Sequence, residues 1–368
     1  MDFVSQLKYD KMKKLLAPFE KGSLKFKNHL VMAPMTRSRA IGNLPNELMA
    51  TYYAQRSGAG LIVTEGTSPS PEGLGYPRIP GIYSEAQVAG WKKVTDAVHQ
   101  NGSKFFLQLM HTGRISNVAN LPDGLQPVGP SNIKAAGEIF TDSLGMQEHS
   151  VPVALTQEGI TRVIADFVNA SKNAILAGFD GVELHGANGY LLEQFLNPNV
   201  NNREDKYGGN IINRSRLTLE ITEAIAAAIG PDKVGIRFSP FSQLSDQGTY
   251  DTEEVHQTYT CLSSELDKLG IAYIHISTNP EIPEKTYKAI RAVFTNTIII
   301  CNGLTPETAE EKLLDNSADL VAFGRGFLAN PDFISRIEKN VPPNDVDFST
   351  LYSPGETGYT DYPLYTSK

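Results

Sequence analysis

The reading of this chain turns on Asp180-Gly-Val-Glu-Leu-His-Gly-Ala-Asn-Gly-Tyr190. Its first half is a short apolar run of the kind that forms a buried strand. Its second half sets an imidazole (His185), a carboxamide (Asn188) and a phenol (Tyr190) within six residues, and two glycines let the backbone turn tightly between them. Such a strand end offers two donors for a substrate oxygen and one acid for a carbon centre. Each residue has a plainer reading: a histidine in an apolar run is commonly a satisfied core histidine, and most tyrosines simply pack. The weight comes from the other strand-like runs, which end in the same manner.

Eight runs read as strands: 29–33, 60–64, 104–109, 181–184, 234–238, 272–276, 297–300 and 320–323. Between them, helical periodicity covers 46–56, 85–100, 156–177, 213–229, 251–269 and 305–315, several closed by glycine and one opened by Thr-Pro-Glu. Alternating strand and helix predicts parallel βαβ units, and eight strands predict a (β/α)8 TIM barrel. One connection breaks the rhythm. About forty residues rich in Gly, Pro, Ser and Asn follow the third strand, and a loop of that length is usually a lid or an added subdomain. Residues 113–153 are therefore expected to be a capping insertion. The Tyr-rich stretch 349–368 is expected to dock onto the barrel through Tyr352, Tyr359, Tyr362 and Tyr365, and the whole of 1–368 is read as one domain.

In such a barrel the loops after the strands gather on one face, and chemistry is built there. Strand one runs into Pro34-Met35-Thr36-Arg37 and strand two into Glu65-Gly66-Thr67; strand three carries Gln108 and His111. The fourth brings His185, Asn188 and Tyr190, the fifth Arg237, and the sixth Ser277-Thr278-Asn279. The last two end at Asn302-Gly303 and Gly324-Arg325-Gly326, the usual phosphate position of these barrels. A tight turn with a solvated arginine is the alternative there. Arg237 lies within an apolar run, where a lone charge is costly. It calls for an anion, a ring that gains negative charge, or a salt bridge to an acid such as Glu183.

Composition narrows the partners. The chain is 40% hydrophobic and 20% charged, with a net charge of −8, and has no basic patch with interleaved aromatics, which disfavours a nucleic-acid partner. No apolar run approaches a membrane span, and residues 1–14 show no secretory h-region. Two cysteines, Cys261 and Cys301, argue against a disulfide framework, so a cytoplasmic protein acting on small molecules is expected. There is no G-x-S-x-G elbow, P-loop, G-x-G-x-x-G or H-E-x-x-H, and no metal site is expected.

Several segments together resemble the old yellow enzyme family: Ala33-Pro-Met-Thr-Arg37, Leu107-Gln-Leu109 with Gly113-Arg-Ile-Ser116, His185-Gly-Ala-Asn-Gly-Tyr-Leu191, Asn202-Arg-Glu-Asp-Lys-Tyr-Gly-Gly209, Phe323-Gly-Arg-Gly326 and Gly358-Tyr-Thr-Asp-Tyr-Pro363. The resemblance runs co-linearly from about residue 17 to the C-terminus. It implies non-covalent FMN, reduced by NADPH or NADH and reoxidised by the C=C bond of an α,β-unsaturated carbonyl or nitro compound. By position, Pro34, Met35, Thr36, Gly66, Gln108 and Arg237 would line the flavin ring, and Asn302, Gly303, Gly324 and Arg325 would hold its phosphate. His185 and Asn188 would bind the substrate oxygen, Tyr190 would donate the proton, and Tyr76 and Tyr352 would bound the pocket. Many relatives carry a tryptophan where this chain has Met110, which leaves the stereochemical outcome open. Position 36 is threonine rather than the cysteine of the thermophilic-like branch. The sequence leaves monomer and homodimer both open.

Overall fold

A computed structural model describes residues 12–366. The signal-segment reading at 1–11 and the last two residues of the tail lie outside them. Eight strands close into a barrel: β1 Leu30–Met32, β2 Leu61–Val63, β3 Lys104–Leu109, β4 Gly181–Gly186, β5 Val234–Phe238, β6 Tyr273–Ser277, β7 Thr297–Cys301 and β8 Leu320–Phe323. Every neighbouring pair is parallel, and β8 closes on β1. All eight predicted strands are present, with ends displaced by a residue or two.

The strands read as nearly unbroken apolar runs because both faces are covered. Alternation along each strand sorts them into two clusters. Leu30, Met32, Ile62, Phe105, Leu107, Val182, Leu184 and Ile236 join the core shared with the helices. Val31, Leu61, Phe106, Tyr273, Ile299 and Leu320 point inward. An antiparallel hairpin, Phe19–Lys21 with Leu24–Phe26, adds Phe19, Leu24 and Phe26 to the inward cluster and plugs one end of the barrel. At the opposite end the inward positions turn polar: Gln108, Glu183, His185, Arg237 and His275, all buried.

The surrounding helices are α1 Glu47–Gln55, α2 Glu85–His99, α3 Gln157–Leu176, α4 Ile211–Ile229, α5 Thr252–Leu269, α6 Glu284–Val293 and α7 Pro306–Leu314. Their starts are fixed by side-chain caps, such as the Ser84–Gln87 capping box of α2 and Thr156 accepting from the Gly159 N–H in α3. Helix α6 escaped the sequence reading. Its segment is dominated by polar residues, and only Thr286 and Ile290 are buried.

The long connection after β3 is structured. Glu138–Thr141 and Gly145–Glu148 form an antiparallel hairpin, and Val128–Gly129 pairs with Val153–Ala154. The C-terminal segment is pinned by three buried arginines. Arg37 donates to the Gly358 carbonyl at 2.6 Å, Arg39 to those of Thr350 (2.8 Å) and Leu351 (2.6 Å), and Arg56 to that of Tyr359 at 3.1 Å. The Tyr359 ring stacks on Tyr52 with centroids 4.0 Å apart. No helix among the described residues is long and apolar enough to cross a membrane.

Candidate active site

The polar end of the barrel opens into a cavity of about 950 Å³. Its wall includes Pro34, Thr36, Tyr76, Gln108, Met110, His185, Asn188, Tyr190, Arg237 and Tyr352, with Ile139, Phe140 and Met146 from the inserted hairpin on one side. Ten of the positions singled out in the sequence therefore meet around one space. His111 does not join them: its Nδ1 accepts from the Gly113 N–H at 3.1 Å, and it is buried away from the cavity.

His185 and Arg237 are register neighbours across β4 and β5, and both face inward. Burial, with Arg237 and His275 adding their charges, holds the His185 imidazole well below its ordinary value, so the ring is neutral. Its Nδ1 has no partner. Asn188 and Gly189 both take left-handed backbone, with φ of 57° and 81°. At Gly189 a Cβ would lie 2.6 Å from Ser245 Cβ, so only glycine fits. The turn brings Tyr190 back over His185, ring centroids 4.7 Å apart and edge to face. Its hydroxyl donates to that of Tyr76 at 3.1 Å. Burial and the neighbouring phenol of Tyr76 raise the Tyr190 phenol well above its ordinary value, which keeps the proton on the oxygen.

Below the cavity floor, Glu183 organises the other two inward polar residues. Its carboxylate accepts from Gln108 Nε2 at 2.8 Å, from the Tyr273 hydroxyl at 3.1 Å and from His275 Nδ1 at 2.9 Å. Among the described residues Arg237 makes no ion pair with Glu183. Its Nη2 donates to Cys301 Sγ at 3.8 Å and its Nε has no partner. The buried-charge question raised by the sequence is thus left open on the cavity side, where an acceptor is wanted.

Four positions assigned to a phosphate lie apart, beyond the mouths of β7 and β8. Asn302 (φ 79°) and Gly303 (φ 67°) are exposed, with open space around Gly303, and Asn302 Nδ2 donates to Ser277 Oγ at 2.8 Å. A Cβ at Gly324 would lie 3.3 Å from Met35 Sδ, and exposed Arg325 lies over the Phe348 ring. Gly66 does not line the cavity either: a Cβ there would lie 2.4 Å from Met110 Sδ, so the glycine makes room for Met110. Sequence reasoning missed two groups. Glu183 was weighed only as a salt-bridge partner, although an acid two residues before His185 on one strand must share its inward face. Glu193 and Ser239, behind the Asn188 turn, carried no local signal.

Residues 14–344 match the model of the NADH:flavin oxidoreductase / NADH oxidase family. The chain is 41% identical over 360 residues to 12-oxophytodienoate reductase 1 of Oryza sativa subsp. japonica, covering 95% of this chain and 93% of that one. Among solved structures, morphinone reductase aligns with a TM-score of 0.91 and 42% identity over 95% of this chain and 96% of its own; another structure of it holds tetrahydroNAD. An old yellow enzyme homologue from Zymomonas mobilis aligns at 0.91 and 39%, over 96% and 100%.

Proposed function

This chain belongs to the NADH:flavin oxidoreductase / NADH oxidase family, of old yellow enzyme type, and from that premise we propose that it is an FMN-dependent, NAD(P)H-consuming ene-reductase. The observation that carries the reading is the meeting of His185, Asn188 and Tyr190 with Gln108 and Arg237 around one cavity. The residues fit an FMN: His185 Nδ1 and Arg237 Nε are buried and unpartnered, and Gln108 has committed its Nε2 to Glu183, which leaves its Oε1 to accept from a pyrimidine N–H. Pro34, Met35 and Thr36 would complete the ring site, and Asn302, Gly303, Gly324 and Arg325 would hold the phosphate. When bound, FMN would supply the hydride chemistry that links a nicotinamide donor to an activated alkene.

The chain's own residues do the rest. His185, neutral, and Asn188 bind the carbonyl or nitro oxygen of the substrate and withdraw electron density from its β-carbon, as donors at a developing oxyanion do. Tyr190 donates its phenolic proton to the α-carbon, and the Tyr76 hydroxyl beside it is the next oxygen in line. Arg237, which lines the cavity with its Nε unpartnered, would supply positive charge to the ring. Nicotinamide and alkene share the cavity and take turns. Tyr76, Met110 and Tyr352 bound the alkene. Tyr190→Phe tests the assignment: reoxidation by 2-cyclohexenone should fall about 100-fold or more, general acid catalysis contributing roughly 10²–10⁴, while bleaching by NADPH persists. Unchanged reoxidation by every alkene tried would remove Tyr190 from the role.

A further inference from the structure

Glu193 lies outside the cavity wall, on the short helix Leu191–Leu196 that follows the catalytic turn. Its buried carboxylate faces back toward that turn. Oε2 accepts from the Gly189 N–H at 2.6 Å, and Oε1 accepts from the Ser239 hydroxyl at 2.8 Å and the Tyr259 hydroxyl at 2.7 Å. Ser239 Oγ in turn accepts from the Asn188 N–H at 2.8 Å. The two left-handed residues thus present consecutive N–H groups to one anion, the first through a hydroxyl and the second directly. Successive backbone N–H groups turned to one side are a ready anion cradle. From the other side Gln194 Nε2 donates to the Gly189 carbonyl at 2.8 Å. A left-handed asparagine is strained backbone that persists only when its surroundings determine it, and here they do.

We propose that Glu193 is a positioning residue for alkene reduction: its carboxylate, directly and through Ser239, holds the Asn188–Gly189 turn so that the Asn188 carboxamide meets the substrate oxygen beside His185. This rests on the ene-reductase reading above. The carboxylate needs its charge for the task, because three donors converge on two oxygens and the backbone N–H of Gly189 cannot rotate away. The groups facing it are Ser239 at the end of β5, Tyr259 on α5, and Tyr250 just before α5. Glu281 shares the small cavity behind Glu193. None is a cation; Arg214, whose charge acts on Tyr250, is paired with Glu254. Burial therefore pushes the Glu193 carboxyl up to about 7, against the three hydrogen bonds that pull it down. Neither His185 nor Tyr190 titrates near there, the first lying well below its ordinary value and the second well above. Glu65 is also pushed to about 7, but it sits at the end of β2, holding the Arg37 N–H and the Tyr53 hydroxyl.

The test compares Glu193→Gln, Ser239→Ala and wild type as FMN-loaded protein, with reduction by NADPH and reoxidation by 2-cyclohexenone followed separately from pH 5.5 to 8.5. Wild type should show a reoxidation limb near pH 7, faster on the alkaline side. Glu193→Gln should lose the limb and reoxidise about 10- to 100-fold more slowly at pH 8, the range that displacement of a substrate-holding group produces. Ser239→Ala should lose part of the rate and keep the limb. Amide hydrogen exchange of 188 and 189 adds a readout that needs no turnover: exchange should quicken about 10-fold or more in both variants, since a lost buried hydrogen bond of about 1.5 kcal/mol corresponds to that factor. Wild-type rates, limb and exchange in Glu193→Gln overturn the proposal. Should that variant fail to fold, wild-type rate and exchange in Ser239→Ala overturn it. FMN-loaded wild-type protein that no alkene reoxidises contradicts the underlying reading instead, with the exchange data standing apart from that failure.

Discussion

Glu183 and Glu193 are both buried, ten residues apart on either side of the catalytic turn, and the fold gives them opposite tendencies. Burial alone would raise both. At Glu183 the His275 ring at 2.9 Å, with the charge of Arg237 and the Gln108 N–H, pulls the carboxyl below its ordinary value. His275 is raised in return, because Glu183 outweighs its own burial. Glu193 has hydrogen-bond donors and no cation, so burial prevails and carries it to about 7. Donors alone soften the desolvation of a buried anion, whereas an adjacent cation reverses it. The consequence is a division of labour: Glu183 is a permanent charge beneath the cavity floor, and Glu193 is a charge that the pH can switch behind the turn.

The comparison breaks most visibly at Glu183. Glu183→Leu leaves His275 buried without its partner, and removing one partner of a buried pair costs about 3–5 kcal/mol. Urea unfolding of the flavin-free protein at pH 7 should register that loss; one below about 1 kcal/mol would mean that the pair is not ionised. A smaller effect separates the two acids by sign. The Glu193 carboxyl is raised in the fold from 4.5 to about 7, so its proton binding favours the folded state. That contribution is fully present below pH 4.5 and is lost as the pH climbs through about 7. Glu193→Gln abolishes it, and the stability difference between variant and wild type should move in the variant's favour by up to about 3 kcal/mol from pH 4.5 to 8. A difference independent of pH contradicts the assignment. The smallest effect is expected from Tyr259→Phe. It removes one donor from Glu193, costs about 1–2 kcal/mol, and should shift the reoxidation limb to higher pH; a downward shift would contradict the role given to the hydroxyl.

The barrel was legible because parallel strands covered on both faces are nearly continuous apolar runs, as Leu320-Val-Ala-Phe323 shows. The cavity positions that strand-end reasoning reached, such as Gln108, His185 and Arg237, sit on strands whose inward face is fixed by alternation. What escaped depends on contacts between segments distant in sequence. The hairpin Glu138–Thr141 with Gly145–Glu148 has four-residue strands whose burial alternates, but Phe140 and Met146 stand on the exposed face, so polar and apolar residues do not alternate in the sequence. Helix α6, only ten residues long, has its apolar stripe, Tyr287 and Ile290, set among charged residues. Glu193 reads as an ordinary polar residue of a helix until Ser239, 46 residues on, and Tyr259, 66 residues on, are folded against it. His111, by contrast, was legible as a strand-end histidine but is spent on a backbone N–H.

The most direct test of the central claim is anaerobic stopped-flow on the purified, FMN-reconstituted wild-type protein, with NADPH added first and 2-cyclohexenone second. The account predicts bleaching of the flavin band and its return when the enone arrives. Failure to take up FMN, or bleaching with no return on any activated alkene, would contradict it.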